Sequence, residues 1–154
     1  MTRAQIAGRL DLDRATYEAM IAHARSDDPY EVCGMLATEN GRVVRHYKIP
    51  NAERSMCVYR MDPKALLHAT REIDDRDWEL LAIYHSHTRS EAFPSPTDVQ
   101  EATYPYPPFP GAVYLIVSLQ DADAPVIRGF DIVDGVITER ILYIDGEEAP
   151  AGRR

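Results

Sequence analysis

The segment ELLAIYHSH, residues 79–87, constrains the fold most, because an apolar run passes directly into two histidines. The run is too short for a helix and is typical of a buried strand. In a strand, residues i and i+2 point to the same face, so His85 and His87 would present both imidazoles to one point. A core strand is therefore predicted to end at two side chains that can bind a metal.

A carboxylate follows at a spacing that completes a set of three donors. Ten residues separate His87 from Asp98, and Pro-Ser-Pro lies just before it at 94–96. Asp98 would return on a short helix that begins at Ser95 or Thr97. Two nitrogens, one oxygen and an open position are typical of catalytic zinc, whereas structural zinc is usually closed by four ligands. On spacing alone, exposed loop histidines without a metal remain an open alternative.

Two further side chains could assist a metal at this place. Ser95 could set its hydroxyl beside the reacting water or a developing oxyanion, and it would be equally ordinary as a helix cap. Glu31, in DPYEVCGML, stands just before an apolar strand and is the candidate base that takes a proton from water. Taken alone, Glu31 could equally be a solvated loop carboxylate. Gly34 permits a close backbone approach that a side chain would block.

The other patterns predict one α/β domain. Asp13 and Asp62 are placed to begin helices, and Asn40-Gly41 and Asp134-Gly135 are typical of tight turns. We expect six or seven strands with two main helices, one domain over residues 1–145 and a disordered tail over 146–154. The segment YPYPPFPG, residues 104–111, is predicted to be an irregular loop of open role because prolines prevent both helix and ladder pairing.

Composition excludes several classes of partner. The net charge of −8 and the pI of about 5.0 would repel nucleic acid and anionic membrane surfaces. No apolar run approaches the ~20 residues that span a bilayer, and the first residues lack the apolar core of a signal peptide. We therefore expect a cytoplasmic protein with no nucleic-acid or membrane partner.

The remaining cysteines and histidines carry little functional signal. Cys33 and Cys57 are too few for a disulfide scaffold, and Cys33 is expected to be a small buried packing residue. The other three histidines, His23, His46 and His68, lack matched partners and are predicted to be surface residues.

Together these motifs resemble the MPN/JAMM metalloprotease family. The pattern is Glu-x-Cys-Gly beginning at Glu31, then His-x-His 54 positions after the glutamate, then Pro-Ser and Asp98. The resemblance implies an α/β, cytidine-deaminase-like fold with a curved, mixed sheet flanked by helices. It also implies isopeptidase chemistry on the tail of a ubiquitin-like protein.

The resemblance assigns a role to each matching position. His85, His87 and Asp98 match the ligands of Zn²⁺. Glu31 matches the general base, and Ser95 matches the hydroxyl that steadies the water and the oxyanion. A catalytic zinc centre is thus what the resemblance implies at the end of the predicted strand.

Thr88 stands where the family usually has proline, and this departure is similar to the bacterial Mec-type subgroup. The stretches MIAHARSDDPYEVCGMLA and NAERSMCVYRMDP resemble the same subgroup. This resemblance implies hydrolysis of the amide between cysteine and the Gly-Gly C-terminus of a ubiquitin-like sulfur-carrier protein. The reaction would release cysteine, as a step of cysteine biosynthesis. Tyr59 and Arg60 could line the tail channel, with Arg60 meeting a carboxylate; a surface arginine beside a core tyrosine is the alternative.

Other functions remain as alternatives. The chain could be a general deconjugating peptidase for another ubiquitin-like modifier. It could also be a non-catalytic MPN scaffold, although such scaffolds typically lose ligands and all five matched positions are filled here. A zinc deaminase would need a Pro-Cys-x-x-Cys segment, which is absent. The sequence leaves open whether the chain forms a homodimer.

Overall fold

The computed structural model describes residues 5–152, so the first four and last two residues of the predicted domain and tail lie outside it. Within that range eleven elements follow one another. They are β1 (Gln5–Leu12), α1 (Arg14–Ser26), β2 (Cys33–Glu39), β3 (Arg42–Ile49), α2 (Pro63–Asp75), β4 (Glu79–His87), α3 (Pro96–Thr103), β5 (Val113–Ser118), β6 (Val126–Val133), β7 (Val136–Ile144) and β8 (Glu147–Glu148).

The strands form one mixed sheet in the order β1-β7-β6-β5-β4-β2-β3, with β8 paired to β7. Strands β1 and β7 run parallel, as do β4 and β5. The other neighbouring strands of the described sheet run antiparallel. The predicted α/β fold with a curved, mixed sheet flanked by helices is confirmed.

The two main helices begin where the sequence predicts. The Asp13 carboxylate accepts the Thr16 N–H at 3.0 Å, and the Asp62 carboxylate accepts the Ala65 N–H at 2.9 Å. Each bond satisfies one of the free N–H groups at a helix start. No helix in the described part of the chain is both long enough and apolar enough to cross a membrane.

Two hairpin turns also form as predicted. Asn40 and Gly41 have φ of 52° and 79°, and Asp134 and Gly135 have φ of 51° and 77°. Positive φ at both central residues is the requirement of the turn that matches the twist of a hairpin. These turns join β2 to β3 and β6 to β7.

The predicted disordered tail differs from the structure at its start. Asp145 and Gly146 have φ of 49° and 86° and form a third turn of this kind, after which β8 pairs with β7. The Ala149 N–H then donates to the Leu142 carbonyl at 2.8 Å, and Ala149 is buried. Asp-Gly is a turn signal, and it accounts for a sheet of eight strands in the described range rather than six or seven.

The central strands are buried on both faces, and their side chains alternate between two cores. Ala82 and Tyr84 of β4 lie in the core that contains the buried side of α1. Ile83 lies in the core that contains the buried residues of α2 and α3. By the same alternation, His85 and His87 point to the α2/α3 face. The pleat therefore decides which face carries the histidines.

Gly34 is required by the packing of β4 against β2 and β3. A Cβ atom at this position would overlap the Tyr84 ring and the Tyr47 carbonyl oxygen. Both neighbours are confined, because Tyr84 is fully buried and the Tyr47 carbonyl belongs to a sheet strand. The close approach predicted for Gly34 is thus a contact within the sheet.

We expect Gly34→Ala to lower the free energy of unfolding by about 2 kcal/mol or more, because neither neighbour can retreat without disturbing the sheet. Urea denaturation of both proteins measures the difference. Gly129→Ala is the matched strand control, since the atoms nearest to its Cβ all belong to side chains, the closest being the end of Leu115 at 3.1 Å. Equal losses in the two variants would contradict this account of Gly34.

Candidate metal centre

His85, His87 and Asp98 converge at the end of β4. His85 Nε2 lies 3.1 Å from both His87 Nε2 and Asp98 Oδ2, and His87 Nε2 lies 3.0 Å from Asp98 Oδ2. One ligand atom from each residue lies within 4.8 Å of the others. Both imidazoles are buried, and the carboxylate is 13% exposed. The three donors predicted from spacing are therefore brought to one point.

Backbone pairing fixes the two histidines, and a helix cap fixes the aspartate. In the sheet, His85 is paired with Cys33 on one side and Ile116 on the other. Asp98 Oδ2 accepts the Ser95 N–H at 2.9 Å, and Ser95 Oγ accepts the Asp98 N–H at 3.1 Å. This reciprocal pair is a capping box. The same carboxylate oxygen thus caps α3 and faces the histidines.

Ser95 caps α3, which is one of the two roles considered for it from the sequence. Its hydroxyl oxygen is occupied as an acceptor by the Asp98 N–H. The hydroxyl proton is not used in that bond, so a role at an oxyanion stays a prediction.

A hydrogen bond at Nδ1 fixes the tautomer of His87. Nδ1 lies 2.8 Å from the Glu91 carbonyl oxygen, which can only accept, so Nδ1 carries the proton. When the ring is neutral, Nε2 therefore keeps the lone pair that a metal would bind. A hydrogen bond from the other ring nitrogen to a carbonyl is the arrangement that commonly orients a metal-binding histidine. His85 differs, because its buried Nδ1 has no hydrogen-bond partner among the described residues.

The charges of the three donors suit a cation. Although burial opposes ionisation, hydrogen bonds from His85 and His87 hold the pKa of Asp98 well below its usual range. Burial lowers the pKa of His85, which favours the neutral imidazole that binds metals. Burial also opposes charge on His87, yet Asp98 and the Glu91 carbonyl raise its pKa. The donor set therefore fits a divalent ion, which would displace any proton from His87.

Glu31 lies in the same buried environment. Its side chain is 3% exposed, and its backbone is held on both sides: the N–H donates to the Ser55 carbonyl at 2.8 Å, and the carbonyl accepts from Asn51 Nδ2 at 3.0 Å. Burial, aided by the charge of Asp98 and opposed by that of His87, raises the pKa of Glu31 to about 7. The solvated-carboxylate alternative is wrong for this residue.

A cleft opens beside Asp98. Its volume is about 410 Å³, within the range of small-ligand sites. The predicted residues Tyr59 and Arg60 both line it, and the Arg60 guanidinium pairs with Glu53 at 3.2 Å. The proline-rich loop contributes Pro108 and Phe109 to the wall. The cleft therefore joins the candidate metal position to the segment before α2.

The prediction for two of the other histidines is wrong. His23 Nδ1 and His46 Nε2 each lie 2.5 Å from the Tyr84 hydroxyl, on the α1 face of β4. Burial lowers the pKa of His23 to about 4 and also lowers that of His46. These residues lie on three separate elements, and their spacing along the chain carried no signal of the contact.

Cys33 follows the prediction for a packing residue. It is fully buried, and its thiol donates to the Ile49 carbonyl at 3.3 Å. Burial raises the pKa of the Cys33 thiol to about 12, so the thiolate is absent near neutral pH. Cys57 is exposed, and both cysteines are free, as expected for a chain without a disulfide scaffold.

Comparison with known sequences finds similarity to named peptidases. A family model described as prokaryotic homologs of the JAB domain matches residues 13–132. The CysO-cysteine peptidase of Mycobacterium tuberculosis is 46% identical over 128 residues, which cover 82% of this chain and 84% of that protein. A probable TtuB-protein conjugate cleaving protease of Thermus thermophilus is 37% identical, over 64% of this chain and 66% of the other. A desampylase of Haloferax volcanii is 32% identical, over 73% and 82%.

Solved structures are also similar. The solution structure of a Desulfitobacterium hafniense protein has a TM-score of 0.75 and 31% identity, and the match covers 90% of this chain and 94% of that one. A JAB1/MPN domain protein from Archaeoglobus fulgidus has a TM-score of 0.54 at 14% identity, over 89% and 100% of the two chains. The second match concerns the fold alone.

Asp98→Asn should leave the fold intact and weaken metal binding, because the asparagine oxygen can still accept the Ser95 N–H in the capping box but brings no negative charge. We expect zinc affinity to fall by about 100-fold or more. Mutation of residues that only support a metal ligand already lowers metal affinity by about 10- to 100-fold. Chelator competition measures the affinity, and circular dichroism checks the fold. Asp134→Asn, at a turn that suits asparagine, is the control. Unchanged affinity in Asp98→Asn would remove Asp98 from the donor set.

Glu31 should make the metal-free protein less stable as the pH rises. A carboxyl that binds its proton more tightly in the folded chain, with a pKa of about 7 instead of 4.5, stabilises the fold below pH 4.5 and loses that contribution by about pH 7. Glu31→Gln should therefore gain on the order of 2–3 kcal/mol relative to wild type between these values. Denaturant titrations across this range, in chelator, measure the difference; a pH-independent difference would contradict the burial of an ionisable Glu31.

Proposed function

The chain belongs to the family of prokaryotic homologs of the JAB domain, and on that basis we propose that it is a zinc-dependent peptidase acting on a ubiquitin-like sulfur-carrier protein. The reaction is hydrolysis of the amide that joins the carrier's C-terminal Gly-Gly tail to cysteine, with release of cysteine. One observation carries the proposal: two buried imidazole nitrogens and a carboxylate oxygen lie about 3 Å apart, beside a buried glutamate and an open cleft.

Zinc suits the three donors better than calcium or magnesium, which prefer oxygen ligands. His85, His87 and Asp98 would hold it, and two nitrogens with one oxygen leave a coordination position open. When bound, zinc supplies Lewis acidity, which polarises a carbonyl and brings the pKa of water near 7.

Glu31 is proposed as the group that moves the proton. Its pKa of about 7 allows it to accept a proton from water and to return it to the leaving nitrogen near neutral pH. Two hydrogen bonds hold the Glu31 backbone from which the carboxyl extends. Ser95 donates its free hydroxyl proton toward the oxyanion that develops on the glycine carbonyl.

The cleft suits a thin, flexible tail. Glycine lacks a side chain and so fits a narrow channel, where backbone hydrogen bonds can hold an added strand. Arg60 is proposed to meet the carboxylate of the terminal cysteine, in exchange for the exposed Glu53 carboxylate that it binds at 3.2 Å. The peptidase from Mycobacterium tuberculosis, named for a CysO–cysteine substrate, supports this choice of substrate.

A second candidate is removal of another ubiquitin-like modifier from proteins. It is favoured by the similarity to a conjugate-cleaving protease and to desampylases, at lower identity than the cysteine peptidase. A non-catalytic scaffold is disfavoured, because all three donors, Glu31 and Ser95 are present and close together. A cytoplasmic location and a homodimer stay predictions.

The zinc-loaded protein should release cysteine from a carrier–cysteine adduct, and Glu31→Gln should slow this by about 100-fold or more while keeping its zinc, because glutamine cannot accept the proton. Mass spectrometry of the carrier measures cleavage, and elemental analysis measures zinc.

Two controls separate the candidates. A carrier joined to a lysine side chain tests the general deconjugating activity in the same assay. Cleavage of that conjugate but not of the cysteine adduct would favour the second candidate. Wild-type rates in Glu31→Gln would instead show that Glu31 is not the base.

A further inference from the structure

The two histidines of the donor set are held by different means. His87 is fixed by the hydrogen bond from Nδ1 to the Glu91 carbonyl, at 2.8 Å. His85 has no such bond, since its buried Nδ1 lacks a partner among the described residues. A histidine that binds a metal usually donates its other N–H to an acceptor, which sets its orientation and tautomer. Something else must therefore orient the His85 ring.

An aromatic ring lies against the face of the His85 imidazole. The Tyr59 ring is stacked on the His85 imidazole, with 4.4 Å between the ring centroids and 19° between the planes. The backbone of His85 is held in the sheet between Cys33 on β2 and Ile116 on β5. Rotation of the imidazole out of its plane would collide with the tyrosine face.

Tyr59 can act in this way because its own backbone is anchored. Asn51 holds both neighbours: its Oδ1 accepts the Arg60 N–H at 3.0 Å, and its Nδ2 lies 3.3 Å from the Val58 carbonyl. The same Nδ2 donates to the Glu31 carbonyl at 3.0 Å. One amide side chain therefore ties the tyrosine segment to the residue proposed as the base.

We propose that Tyr59 is a positioning residue for the metal ligand His85, its aromatic face replacing the hydrogen bond that His85 lacks. The inference rests on the proposed metal site. A bound cation withdraws electrons from the imidazole, and an electron-poor ring is attracted more strongly to the negative face of an aromatic neighbour. The stack therefore favours the metal-bound state over the metal-free state.

The ring matters in this proposal, and the hydroxyl does not. Among the described residues, none forms a hydrogen bond with the Tyr59 hydroxyl. Phenylalanine would therefore retain the stacking on the His85 ring. Leucine and methionine fill much of the same space without a planar face. A residue that served only as a wall of the substrate cleft, which Tyr59 also lines, would affect substrate binding and leave zinc affinity unchanged.

The test is metal affinity measured without substrate. Metal-free wild type, Tyr59→Phe, Tyr59→Leu and Tyr59→Met are titrated with Zn²⁺ against a chromophoric chelator, and the visible spectrum of the Co²⁺ form reports ligand geometry. Tyr106→Leu, at an exposed tyrosine, is the matched control. We expect Tyr59→Phe and Tyr106→Leu to match wild type, and the other two variants to raise the zinc Kd roughly ten-fold or more with an altered Co²⁺ spectrum.

The outcomes separate the inference from the function on which it rests. Failure of wild type to bind Zn²⁺ would overturn the proposed function itself. Zinc affinity in Tyr59→Leu and Tyr59→Met equal to wild type, with only KM for the carrier adduct raised, would show a cleft wall and overturn the positioning role. A loss in Tyr59→Phe as large as in Tyr59→Leu would place the effect in the hydroxyl and also overturn it. Methionine keeps the test valid if the leucine variant does not fold.

Discussion

The burial of β4 on both faces is the constraint on which the rest of the structure depends. Because successive side chains of a strand alternate, Tyr84 must enter one core when His85 enters the other. The Tyr84 hydroxyl is held between His23 and His46, and its ring fills the space that Gly34 leaves. A strand fixed in this way on the α1 face has no freedom to rotate on the other, so both histidine donors are delivered to one point.

Burial of the charged groups of this site costs free energy, and hydrogen bonds offset part of that cost. Asp98 is the shared element: one oxygen of its carboxylate caps α3 and faces both imidazoles. In the described part of the chain no hydrogen bond to the Glu31 carboxylate is found, and burial outweighs the charge of His87, so its pKa is about 7, which is the property that a proton carrier needs. Asn51 links this residue to the segment that carries Tyr59, so the proposed base and the proposed positioning residue are joined through one side chain.

Much of the fold could be predicted because its signals are local. Asp13 and Asp62 act as caps within their own helices, and the Asn-Gly and Asp-Gly turns depend on two residues each. Asp145-Gly146 carries the same turn signal, but it lies where the chain is expected to become disordered, so β8 is not predicted from the sequence. The three donors were predictable as well, since strand alternation and a short capped helix bring them together.

By itself the sequence determined the chemistry: which nitrogens and oxygens could meet, the glutamate that accompanies them, and the family to which the pattern belongs. Only the tertiary structure decided how each group is held. Burial, which turns Glu31 from an ordinary carboxylate into one with a pKa of about 7, depends on elements that are distant along the chain. The contacts of Tyr59 with His85, and of His23 and His46 with Tyr84, arise in the same way. Long-range packing creates them, and residue spacing along a single chain does not encode such packing in a readable form.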